Sequence, residues 1–141
     1  MKNLFFILFL TLSYSLTAYG KVHIKDINLE TKNGKTFFQL KFDKKIKNIK
    51  PEITYRDNIL QAELKNVVAW PKIEKKIYNE KYKNVTLTAY QYDNQTVRFR
   101  AIFPKKINES TTNVRLKQKG RTLEMVGNVN YLNKRTKSIS S

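Results

Sequence analysis

The chain has 141 residues and no cysteine, with 28 Lys and Arg against 11 Asp and Glu for a net charge of +17. That length holds one domain with one core. Without cysteine there are no disulfides, thiol nucleophiles or zinc–thiolate sites, so an apolar core alone must hold the fold.

The first twenty residues read as a secretory signal peptide. Lys2 supplies a positive start, Leu4 to Leu12 form an apolar run, and Ala18-Tyr19-Gly20 places small residues at the −3 and −1 positions of a cleavage site. The run is short for a bilayer span of about 20 residues. Cleavage is expected before Lys21, and export to the periplasm or cell envelope follows. Beyond Gly20, 27 Lys and Arg face 11 Asp and Glu, a net charge of about +16. Such an excess calls for an anionic partner or a well-solvated surface. The export signal points to peptidoglycan or another anionic envelope polymer, and to no specific nucleic acid.

From Val22 to Val126 the hydrophobic pattern has period two. Eight strands are expected in four hairpins: 22–30 with 36–43, 52–56 with 59–66, 85–92 with 96–103, and 113–118 with 121–126. Two-residue turns at Asn33-Gly34, Asp57-Asn58 and Lys119-Gly120 bring inward residues opposite inward residues. They pair Leu29 with Phe38, Tyr55 with Leu60, and Leu116 with Leu123. A three-residue loop, Asp93-Asn94-Gln95, pairs Ala89 with Phe99 and Leu87 with Ala101, whereas a two-residue turn there would mix the faces. The expected fold is therefore all-β, a two-sheet antiparallel β-sandwich of about eight short strands, with a closed barrel as the alternative. The long connection 67–84 shows Ile73 and Ile77 at helical spacing, so a short helical turn is expected there. Trp70, next to Pro71, reads as a plug beneath that loop, with a ligand contact as the alternative. The organisation is a signal peptide over 1–20, a β domain over 21–127 and a mobile basic tail over 128–141.

Catalytic chemistry finds no foothold in this sequence. His23, the only histidine, sits in the opening strand. No serine lies in a nucleophile-elbow context, the carboxylates are scattered singly, and the glycines form no phosphate loop. Neither a cofactor nor a metal is expected. If Val85, Leu87, Ala89, Val97, Phe99, Ala101, Phe103, Val114 and Leu116 point inward, then Tyr90, Tyr92, Arg98, Arg100, Arg115 and Lys117 share the opposite face. Tyrosine rings stack on the C–H face of a sugar while guanidinium forks hold carboxylates. Such a platform also suits single-stranded nucleic acid, or serves only to stabilise an exposed sheet.

The order of these elements resembles the AMIN domain, an exported module found ahead of cell-wall amidases and in some pilus or secretion-pore proteins. The resemblance runs over residues 22–127. It covers the opening hairpin, the Pro51-Glu52-Ile53-Thr54-Tyr55-Arg56-Asp57 segment, the Val85–Tyr92 and Thr96–Phe103 block, and the last hairpin ending in Leu123 and Met125. Arg98 stands where members of that family often carry an arginine. The segment that follows it, Phe99-Arg100-Ala101-Ile102-Phe103, departs from the family tendency. The resemblance implies a two-sheet sandwich that targets proteins to peptidoglycan or an envelope machine. No catalytic or secretin domain follows, so the expectation is an adaptor or a piece of a longer protein. Two alternatives stand beside wall binding. One is an accessory subunit of a secretion, pilus or flagellar apparatus that binds protein by strand addition; the other is a generic binder of lipopolysaccharide or nucleic acid.

Overall fold

The period-two pattern becomes ten strands in the computed structural model, which describes residues 21–133. The expected leader, and the basic stretch from 134 onward, lie outside the described residues. The strands are β1 (Val22–Lys32), β2 (Lys35–Phe42), β3 (Glu52–Arg56), β4 (Ile59–Lys65), β5 (Val67–Val68), β6 (Ile73–Asn79), β7 (Lys83–Gln91), β8 (Thr96–Ile102), β9 (Asn113–Lys119) and β10 (Thr122–Asn128). Sheet I has the order β5-β1-β2-β10-β9 and sheet II the order β3-β4-β8-β7-β6. The fold is the expected all-β sandwich, with two more strands than expected. Sheet II is antiparallel, while the pairing of Val22 and His23 with Val67 and Val68 is parallel and makes sheet I mixed.

Three of the four hairpins have the expected register. Leu29 faces Phe38, Tyr55 faces Leu60, and Ala89 faces Phe99. In the first, Asn33 (φ 52°) and Gly34 (φ 78°) both take the left-handed conformation of a type I′ turn, whose twist matches the flanking strands. The fourth differs by one residue on each strand. Lys119 pairs with Thr122, so the turn is Gly120-Arg121 and Leu116 faces Met125. Gly120 supplies the positive φ of 60°, and its carbonyl accepts the N–H of Ile46 beyond β2, while the Arg121 carbonyl accepts the N–H of Phe42 at the end of β2. Those bonds lie outside the hairpin, where turn statistics do not reach.

The core lies between the central strands of the two sheets. Phe38 of β2 meets Phe99 of β8 edge to face, with ring centroids 6.2 Å apart. Ile24 and Ile27, three apart in sequence, both point inward because a bulge between Ile24 and Asp26 resets the alternation. Of the nine residues expected inside on the 85–116 segment, seven are buried. Val114 is half-buried and Leu116 is 41% exposed, because β9 is an edge strand that the opposite sheet only partly covers.

The expected helical turn in 67–84 is corrected to strands β5 and β6. Ile73 and Ile77 are four apart, a spacing that fits an even strand period as well as a helical turn. Ile73, Lys75 and Ile77 are half-buried while Glu74, Lys76 and Tyr78 are exposed. Lys75 carries its ammonium to Asp26 of β1 at 2.5 Å, which disguises an inward-side position as a polar one. In the β6–β7 connection Asn79 Oδ1 accepts the backbone N–H groups of Lys81 (2.9 Å) and Tyr82 (3.1 Å), and Tyr82 turns inward. The Tyr82 hydroxyl donates to the Val129 carbonyl at 2.9 Å and also meets the Thr36 hydroxyl.

The expected tail boundary at 128 is likewise corrected. Val129 is fully buried, and Tyr131 pairs with Ile107 and packs edge to face against Tyr82 and Phe103. Burial pushes the Tyr131 hydroxyl pKa up to about 12, with the neighbouring Tyr82 adding to the shift. Polar Asn128 and Asn130 alternate with these residues and hide a strand-like segment inside a stretch that reads as hydrophilic.

Candidate functional site

The outer face of sheet II is set by its register. One row across the strands runs Glu63, Arg98, Tyr90, and the next runs Thr54, Gln61, Arg100, Thr88, Glu74. Each arginine of β8 thereby has a defined neighbour on β4. Arg98 Nε donates to Glu63 Oε1 at 2.9 Å, and its guanidinium lies 3.5 Å from the centroid of the Tyr92 ring. Arg100 Nε donates to Gln61 Oε1 at 2.7 Å and lies 5.7 Å from the centroid of Tyr90. Burial works against the charge of Arg98, but its hydrogen bonds to Tyr90 and Glu63 prevail and raise its pKa above the ordinary value.

Trp70 belongs to this face, which corrects its expected role as a plug. Val67 and Ala69 are both buried, and the alternation they establish sends Trp70 outward, where it is 78% exposed. Ala69 fills the position beneath the loop. Its N–H donates to Gln91 Oε1 at 3.0 Å, tying the loop that carries Trp70 to the end of β7. Two shallow grooves result. One, of about 630 Å³, is lined by Thr54, Arg56, Gln61, Arg98 and Arg100. The other, of about 430 Å³, is lined by Trp70, Lys72, Glu74, Tyr90 and Arg100. Arg100 belongs to both.

Of the six expected site residues, Tyr90, Tyr92, Arg98 and Arg100 come together here. Arg115 and Lys117 do not. After β8 the chain crosses over to sheet I, where β9 forms an edge, so these two residues project from the other side of the sandwich. Arg115 pairs with Val126 and Lys117 with Glu124. A hairpin pattern identifies partners within a hairpin but not the sheet that each hairpin joins, and this is why one face was expected.

His23 lies in β1 with its Nδ1 3.3 Å from Asp43 Oδ2, and its backbone N–H donates to Asp43 Oδ1 at 2.9 Å. Among the described residues no three His, Cys, Asp or Glu side chains gather to hold a metal ion. No helix among them is long and apolar enough to cross a membrane. No family model, curated protein or solved structure matches the chain.

Proposed function

We propose that this chain is an exported, non-catalytic, AMIN-like module that binds peptidoglycan or another anionic envelope polymer through the outer face of sheet II. The observation that carries this reading is the gathering of Trp70, Tyr90, Tyr92, Arg98 and Arg100 on one sheet face. Exposed rings offer stacking surfaces to sugars, and guanidinium groups held by cross-strand partners are oriented before a ligand arrives. The test is sedimentation of the protein with purified sacculi at near-physiological salt, with DNA–cellulose as the polyanion control. Arg98→Ala with Tyr90→Ala is expected to weaken sacculus binding about tenfold or more without unfolding the protein. Equal sedimentation of the double variant and the parent contradicts the proposed face.

A second reading is favoured by β9. It is a seven-residue edge strand paired, among the described residues, only with β10, and its Leu116 is 41% exposed. An accessory subunit of a secretion, pilus or flagellar apparatus would use such an edge to bind protein by strand addition. Co-purification of one stoichiometric partner, with no affinity for sacculi, is the result that selects it.

A further inference from the structure

We propose that Arg100, aimed by Gln61, is the carboxylate seat of the sheet II face, and that its ligand is a polysaccharide carrying sparse carboxylates, laid across the strands with a sugar ring on Trp70. The inference rests on the wall-binding reading and narrows it to one arginine and one polymer chemistry. Arg98 and Arg100 are two residues apart on β8, point to the same face and are both half-buried. Each donates its Nε to the side chain directly opposite on β4. The difference lies in that acceptor. Glu63 is a carboxylate and neutralises Arg98. Gln61 is a neutral amide, which orients Arg100 equally well and leaves its charge uncompensated. Among the described residues, no carboxylate lies within ion-pair distance of Arg100. With Nε occupied, the two terminal nitrogens of the fork remain to receive a carboxylate.

The position of Arg100 matches this role. It lines both grooves, so a chain running from Trp70 at one end to Thr54 at the other must pass over it. Five strands at about 4.8 Å spacing give that path a length of about 19 Å. Acidic groups along the path restrict the ligand. Asp57 lines the larger groove, Glu63 pairs with Arg98 beside it, and Glu74 lines the smaller groove with Lys72 3.6 Å away. Because Glu63 and Glu74 are already paired with Arg98 and Lys72, those points offer a further anion little attraction, and a negative charge at every unit, as in nucleic acid, gains nothing there. One with a carboxylate at intervals places it at Arg100 and passes the acids with neutral sugars.

The experiment compares the full chain, Arg100→Ala and Gln61→Glu. The ligands are sacculi, hyaluronan (one carboxylate on every second sugar), hyaluronan with its carboxylates esterified, and single-stranded DNA. The parent is expected to bind sacculi and hyaluronan and to lose about tenfold in affinity on esterification. Arg100→Ala is expected to lose a similar factor. Gln61→Glu creates a carboxylate partner for Arg100, so it should melt at or above the parent temperature while losing the same affinity. A purely structural role for Gln61 does not produce that opposition. Sacculus binding that Gln61→Glu and Arg100→Ala leave unchanged overturns the seat but leaves the wall-binding reading standing. Equal binding of the ester and the acid, or of DNA and hyaluronan, also overturns it. No binding to sacculi or hyaluronan overturns both readings.

Discussion

On the outer face of sheet II, Arg98 and Arg100 are each fastened by a side chain of the neighbouring strand and lie over tyrosine rings. On the outer face of sheet I, Arg115 and Lys117 extend, exposed, from edge strand β9, and no hydrogen bond or ion pair holds them among the described residues. The two regions share the sign of their charge and differ in how far it is organised. A cation fixed in place has already lost the rotamer freedom that binding would otherwise remove, a saving of about 0.5–1.5 kcal/mol for each side chain. A free lysine or arginine on an exposed strand keeps the molecule soluble without being aimed at a ligand beforehand. Net charge alone does not separate these two uses.

The largest effect is expected where the two faces share a floor. Phe99 lies under the sheet II face and packs against Phe38 of sheet I. Phe99→Ala is expected to destabilise the fold by about 3–5 kcal/mol, read from chemical denaturation, with both sheets melting together. Separate melting of the two sheets would break the picture of a single core. Next in size is the loss of about tenfold or more in sacculus affinity for Arg98→Ala with Tyr90→Ala. Against it stands Arg115→Ala with Lys117→Ala, which removes two positive charges from sheet I. That pair is expected to change sacculus affinity less than about threefold at near-physiological salt, where exposed charges are screened beyond about 8 Å. Equal losses from the two double variants would mean that charge, and not its arrangement, governs binding.

The smallest effect concerns the link between the sheets at Asp26 and Lys75. The hydrogen bond from Lys75 is the main cause that lowers the Asp26 pKa below its ordinary 3.8. A lowered folded-state pKa contributes stability above 3.8 that is lost as the pH falls through the folded value. Acid titration of the melting temperature is expected to show this loss in the parent and a shallower one in Asp26→Asn. Because both side chains are partly exposed, the difference should stay under about 1 kcal/mol.

How much of this was legible before the fold was known depended on range. Alternation and turn residues identified the hairpins around Asn33-Gly34, Asp57-Asn58 and Asp93-Asn94-Gln95, and with them the Tyr90–Arg98 and Thr88–Arg100 pairs. The pairing of β4 with β8, which brings Glu63 to Arg98 and Gln61 to Arg100, joins strands from different hairpins, and no local pattern encodes it. β6 was obscured because Lys75 occupies an inward-side position by ending on Asp26. At Trp70 the neighbouring Pro71 suggests a plug, whereas the parity of Val67 and Ala69 points the ring outward, and parity prevails. Tyr82 carried no usable signal, since its inward turn depends on Asn79 in the β6–β7 connection.

The measurement that bears most directly on the central claim is amide and indole chemical-shift mapping of the protein titrated with soluble glycan strands released from sacculi. Shifts are predicted to cluster at the Trp70 indole and along Gln61, Thr88, Tyr90, Arg98 and Arg100, with β9 and β10 unmoved. Shifts gathered on Arg115 and Lys117, or spread evenly over both sheets, would contradict the assignment of the binding face to sheet II.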